Sequence, residues 1–333
     1  MPEIVHWGTL KGHFQDGLLL GNGASMAVHA GFGYESLFKE AVRIGAVNEP
    51  VQEIFNSFNT DDFELVLRRL WYATLVNSAL KIAPGLVEDA YKMVRSALIA
   101  TIRSSHVSHA DALPHLEIIF PFMKHFKTVV SLNYDLIVYW AAMLGNATCG
   151  RWFKDAFNEN VFRENWEAMR QPYGADGATL FFYPHGNLVL ARNKNDYERK
   201  IAGNGLNELL EAILSKWTAG AVSPIFVCEG TADHKKKAVD SSSYLRTVFR
   251  EVIPSLGESL VIYGWSMSDQ DQHIVAQLGR ANLQRVAVSV RNDDQAYAQR
   301  VEEAIHAQGI RDIVFFDSSS AGCWNNPEIA VQP

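Results

Sequence analysis

Residues 17–25 read Gly17-Leu18-Leu19-Leu20-Gly21-Asn22-Gly23-Ala24-Ser25. Three leucines closed by a glycine describe a short buried strand entering a tight turn, and Ala24 onward suits the first turn of a helix. Such a strand–turn–helix unit opens many doubly wound α/β domains. There the glycines admit a diphosphate close to the backbone, and free N–H groups at the helix start donate to it. The third glycine of the dinucleotide fingerprint is missing, since Met26 holds its place. Glu40, at the spacing of a ribose-binding acid, falls in a helical pattern. Alone, the turn fits an ordinary βα junction equally well.

Outward from this unit, short apolar runs recur at Thr128–Leu132, Thr179–Tyr183, Pro224–Cys228, Ser259–Tyr263, Val286–Val290 and Asp312–Phe316. Runs rich in Val, Ile and Phe, bounded by Gly, Asn or Asp, suit a sheet covered on both faces. Helical patterns lie between them over Ser243–Val252, Asp269–Leu278 and Asp294–His306. Strand and helix alternating through the last hundred residues predict parallel βαβ units in a Rossmann-like, mostly parallel, doubly wound sheet. Residues 51–126 read differently. Asp61 with Glu64 forms a capping-box pattern, an apolar stripe follows through Trp71, Pro84-Gly85 breaks the helix, and a second runs from about Glu88 to Ser104. The expectation is a helical insertion at 51–126 within an α/β domain made of 1–50 and 127–333. Its aromatics Phe55, Phe58, Phe63, Trp71 and Tyr72 suit either a cover over a site or a self-association face.

The 333 residues carry a formal net charge of −7, against a role in coating nucleic acid. At 48% hydrophobic and 20% charged, the chain has ample material for a core. No run of some 18 apolar residues suggests a membrane span. The N-terminus lacks the pattern of a secretory signal. Cys149, Cys228 and Cys323 are too scattered for a disulfide framework or a zinc knuckle, so a reducing cytoplasm is the expected setting. His106, His109, His115 and His125 lack any familiar ligand spacing, and no metal is expected.

Three more strand ends carry chemistry-bearing residues. Asn133 and Asp135 follow Val129–Leu132, where Asp135 also suits a helix cap. His185 stands in Tyr183-Pro184-His185-Gly186-Asn187, and a histidine there suits a general base as well as a structural role. Gly264 and Ser266 follow Ser259–Tyr263, ahead of Ser268 and Asp269, two further cap candidates. In open α/β sheets, ligands bind at this carboxyl edge.

In order and spacing these four motifs resemble the sirtuin superfamily. More narrowly, the chain looks like a bacterial group of sirtuin-like proteins of unassigned function. The likeness is carried by Gly-Asn-Gly-Ala-Ser, Leu-Asn-Tyr-Asp, His-Gly, Cys-Glu-Gly-Thr and Tyr-Gly-Trp-Ser-Met-Ser-Asp-Gln-Asp-Gln-His, over residues 17–278. The resemblance implies a sirtuin-type sheet with NAD as substrate. Gly21, Asn22, Gly23, Ala24 and Ser25 would lie on the diphosphate, and Asn133 on the nicotinamide ribose or an attacking water. Asp135 would orient that region, His185 would be the base, and Gly264 and Ser266 would meet the adenosine side. Where acyl-lysine sirtuins carry a four-cysteine zinc module and Gln before the Asn, this chain has three scattered cysteines and Leu132. The resemblance therefore implies NAD hydrolysis in antiviral defence, in a homo-oligomer, with activity released by a trigger or a partner protein. An NAD or ADP-ribose sensor without turnover, and an atypical deacylase or ADP-ribosyltransferase, are the competing readings.

Overall fold

The computed structural model describes residues 2–33, 36–83, 85–193, 195–203, 205, 208–227 and 232–328. Thirteen strands form two sheets. They are β1 (Ile4–Val5), β2 (Gly17–Leu20), β3 (Thr128–Ser131), β4 (Phe153–Lys154), β5 (Phe157–Asn158), β6 (Val161–Phe162), β7 (Thr179–Phe182), β8 (Gly186–Asn193), β9 (Glu198–Lys200), β10 (Val222–Phe226), β11 (Ser259–Tyr263), β12 (Arg285–Val290) and β13 (Asp312–Asp317). The larger sheet runs β1-β13-β12-β11-β2-β3-β7-β4. Every pairing in it is parallel.

The central strands of this sheet are buried end to end. β2, β3, β7 and β11 carry no exposed residue, which is why they read as unbroken apolar runs rather than alternating ones. From β2 the chain builds outward through β3 and β7, then returns to lay β11, β12 and β13 on the other side of β2. The direction of winding therefore reverses between β2 and β11, and a crevice opens at the carboxyl ends of those two strands.

Among the described residues twelve α-helices accompany the sheets. They are α1 (Asn22–Val28), α2 (Leu37–Arg43), α3 (Glu49–Phe58), α4 (Phe63–Ala79), α5 (Gly85–Ser105), α6 (His109–Lys124), α7 (Ile137–Cys149), α8 (Leu209–Thr218), α9 (Ala232–Asp240), α10 (Ser243–Thr247), α11 (Gln272–Leu278) and α12 (Gln295–His306). Among the described residues none is long and apolar enough to cross a membrane. Among the described residues between β2 and β3 there are helices and turns and no strand. The inner faces of α4 and α5, with Val66, Leu67, Leu70, Val94, Leu98 and Ile102, share one buried cluster with the sheet.

Three expectations need correction. The Pro224 run is not part of the parallel sheet. It forms β10, antiparallel to β8 in a second sheet ordered β10-β8-β9-β6-β5. An apolar run records burial, not the identity of its partner. The cap of α4 is Asp62, whose carboxylate accepts from the N–H groups of Glu64 and Leu65, and not its neighbour Asp61. Phe55, Phe63 and Trp71 are core residues, which leaves Tyr72 as the exposed aromatic of that set.

Candidate functional site

The crevice at the β2/β11 reversal is a cavity of about 840 Å³, within the range of roughly 300–1,000 Å³ usual for small-molecule sites. Gly21, Asn22, Gly23, Asn133, Asp135, His185, Gly264 and Ser266 all line it. Four strand ends far apart in sequence thus meet at one edge, as their positions after β2, β3, β7 and β11 require.

The glycine turn serves packing more than anion binding. A Cβ on Gly21 would stand 2.6 Å from Trp265 Cβ, and one on Gly23 would stand 2.8 Å from Gly264 Cα. Gly264, at φ +65°, faces them with equal lack of space. Glycine is required on both sides because two strand-end turns press backbone to backbone. The amides are correspondingly committed. Gly21 N–H donates to the Tyr263 carbonyl, Gly23 N–H to the Gly264 carbonyl at 2.7 Å, and Ala24 N–H to Gly21. The expected row of free diphosphate-binding amides is therefore not present. Ala24 and Ser25 do not line the cavity and lie buried behind it. Met26, in the place of the third fingerprint glycine, does line it. Glu40 is bound to Arg43 along α2, away from the cavity.

Ser25 instead fixes Asn133. The Asn133 amide nitrogen donates to Gly21 O at 2.9 Å and to Ser25 Oγ at 2.8 Å, and Ser25 Oγ donates to Asp135 Oδ2 at 2.5 Å. Because Gly21 O can only accept, the amide orientation is settled and Asn133 Oδ1 is the atom left for a ligand. Asp135 Oδ1 accepts from Ile137 N–H, capping α7. Burial raises the Asp135 carboxyl above its usual range, opposed by His106 and by its hydrogen bonds. Asp135 thus acts on the cavity through Ser25, as a positioning residue.

His106 has a structural role. Its Nε2 accepts from Leu136 N–H at 3.1 Å and its Nδ1 meets the Val107 carbonyl at 2.8 Å, tying the end of α5 to the start of α7.

His185 is 3% exposed. Gly186 beside it, at φ +79°, passes too close to the Ile225 and Phe226 backbone for any side chain, which sets where His185 stands. His185 Nε2 lies 2.8 Å from His273 Nε2, at the start of α11. Lys235 Nζ on α9 binds Asp271 Oδ1 at 2.7 Å, and Trp265 Nε1 donates to Asp271 Oδ2 at 3.0 Å. Burial, seconded by the Lys235 charge, lowers His185 to about 3. Burial lowers His273 to about 4. Both rings are neutral at pH 7. His273 was not singled out in the sequence, although it closes the quoted Ser-Asp-Gln-Asp-Gln-His run, and Lys235, in a basic run at 235–237 that suits a solvated surface, is instead buried against Asp271.

His185, Asp271 and His273 bring possible metal-ligand atoms within 4.8 Å of one another, a grouping the expectation of no metal overlooked. The ring geometry is that of a hydrogen bond. The centroids are 5.0 Å apart and the planes differ by 28°, so with 2.8 Å between nitrogens the rings meet nearly end to end. Two ligands of one ion would instead converge at an angle.

The far end of the cavity is polar, with Ser289, Arg291, Asn292, Asp317 and Ser318 at the ends of β12 and β13. Ser289 Oγ accepts from Gly264 N–H at 3.0 Å, which leaves its own proton to donate. The Cys-Glu-Gly-Thr token at 228–231 lies outside the described residues.

A family profile described as a domain of unknown function, DUF4917, matches residues 18–324, and the chain belongs to that family. No protein of curated function matches it.

Proposed function

We propose that this DUF4917 protein binds NAD in the β2/β11 crevice and hydrolyses its nicotinamide–ribose bond. The observation that carries the reading is the meeting of Asn133 and His185 in one cavity beside the Gly21–Gly264 contact. That is an amide with its acceptor oxygen free and an imidazole neutral at pH 7, both lining one cavity at the ligand-binding edge of a doubly wound sheet. The sirtuin likeness of the motifs points to the same substrate.

The chemistry asks little of the protein. The nicotinamide of NAD is a cationic pyridinium and departs as a neutral molecule, so no general acid is needed, unlike at an ordinary glycoside. Asn133 Oδ1 would orient the attacking water or a ribose hydroxyl, and the His185 side would take its proton. Positioning in a water-poor crevice supplies the rest. The diphosphate and adenosine would lie toward Asn22, Ser266, Ser289 and Arg291, in place of the committed amides of Gly23 and Ala24. A role in bacterial defence, with activity held off until a trigger or partner acts, belongs to the same proposal. So does self-association, for which the last turns of α4, the turn after it and the start of α5 offer Leu75, Val76, Leu80, Ile82 and Leu86 as exposed apolar side chains. Sedimentation with and without nucleotide tests that part.

The deciding experiment is purified protein incubated with NAD, with nicotinamide and ADP-ribose followed by chromatography and NAD affinity measured in parallel by calorimetry. Stoichiometric release of both products supports hydrolysis. Tight binding without release under every condition favours an NAD or ADP-ribose sensor, and no binding at all removes both readings.

A further inference from the structure

We propose that His185 and His273 act as a single base, two imidazoles joined by one N–H···N hydrogen bond, in which His273 receives the positive charge away from the cavity. The inference rests on the hydrolase reading, since it assigns the fate of the proton in that reaction.

The geometry is specific. His185 lines the cavity and His273 does not. Both are buried, and their Nε2 atoms face each other end to end at 2.8 Å. Two neutral rings carry two ring protons between them, and a contact this short and straight holds one of them on the bridge. A lone imidazole in such a place is a poor acceptor, because the cation it forms has lost its water. A pair differs, because a proton taken at one end moves the bridging proton and places the charge on the far ring.

The surroundings suit that displacement. Around His273, Phe249 lies nearly parallel with its centroid 5.9 Å away, and the Asp271 carboxylate and the Gln270 backbone favour its cation. Lys235, bound to Asp271, opposes protonation of both rings. The Leu132 backbone beside His185 favours its protonated form, and in the resting pair His185 Nε2–H donates to His273 Nε2, which leaves His185 Nδ1 to accept.

The step balances as follows. A lone pair of the water oxygen forms the bond to the ribose C1′, and the C1′–N bond breaks with its electron pair passing to the nicotinamide nitrogen. The water proton goes to His185 Nδ1, and the bridging proton passes to His273 Nε2. The resulting cation returns one proton to solvent after product leaves. Positive charge is lost from the pyridinium and appears on the histidine pair.

The test uses the full chain with His273→Gln and His273→Ala. A glutamine amide oxygen can still accept from His185 Nε2–H and hold its ring, but it cannot take up a proton. The expected result is a fall in kcat of about 10²-fold in both variants, with KM and NAD affinity within about threefold of the parent. A kcat near the parent's in His273→Gln would show that His273 only props the ring, and would overturn the proposal. A second measurement is independent of turnover. Imidazole nitrogen NMR of the parent should show two neutral rings sharing one proton, and His273→Gln should shift the His185 nitrogens. Signals of two independently titrating rings would overturn the pairing whether or not NAD is hydrolysed. Stoichiometric zinc bound at both Nε2 atoms on metal addition would also overturn it. Failure of the parent to release nicotinamide, with the shared-proton signature present, would remove the hydrolase reading and leave the pair itself standing.

Discussion

Ser25 Oγ stands between Asn133 and Asp135, accepting from the amide of the first at 2.8 Å and donating to the carboxylate of the second at 2.5 Å. A residue that never lines the cavity therefore sets the angle of one that does. Ser25→Ala removes both bonds while leaving Asn133 tied to Gly21 O. Turnover should drop by about 10–10²-fold through lost orientation, with NAD affinity little changed. Equal losses of affinity and kcat would mean that Ser25 meets the substrate directly.

His185→Ala should cut nicotinamide release by about 10²–10⁴-fold while NAD still binds, because the Ser266 and Ser289 end of the cavity is untouched. Asn133→Ala should lower turnover and weaken ribose binding together. The paired measurement is calorimetric NAD affinity and product release, and full activity in His185→Ala would refute the assignment.

The Gly21–Trp265 contact predicts a stability effect that is present in the absence of substrate. Gly21→Ala forces a methyl against Trp265 Cβ, and overpacking of this kind costs about 1–3 kcal/mol. Its melting temperature should fall by several degrees even without NAD. An unchanged melting point combined with lost NAD binding would instead return Gly21 to the role of a diphosphate ligand.

Glu64 gives a pH prediction remote from the cavity. Buried near Arg68, with burial the largest influence, its carboxyl is raised from 4.5 to about 7. The folded chain then holds a proton that the unfolded chain releases, so stability contributed here is present below pH 4.5 and is lost as pH rises toward 7. At about 1.4 kcal/mol per unit, the loss is roughly 3 kcal/mol. Glu64→Gln should therefore be more stable than the parent at pH 8 and about equal to it at pH 4, by denaturant titration at both values. A variant destabilised at pH 8 would show that the Arg68 pairing outweighs burial.

Much of this molecule is legible in its sequence for one physical reason: a strand buried on both faces must be apolar throughout. That alone identified β2, β3, β7, β11, β12 and β13, and the alternation of β11, β12 and β13 with helices made them parallel. It also placed Gly21, Asn133, His185 and Ser266 at strand ends, hence at the edge where they meet. Other features depended on tertiary structure. The partner of the Pro224 run was not legible, because hydrophobicity encodes burial and not pairing direction. What the glycine turn packs against was not legible for a related reason. Gly21 and Gly23 permit a close approach, but only the fold shows that what approaches is Gly264 and Trp265. The pairing of His185 with His273 lay furthest from view. The two are 88 positions apart, and their hydrogen bond exists only because the turn after β7 and the first turn of α11 converge on one buried point.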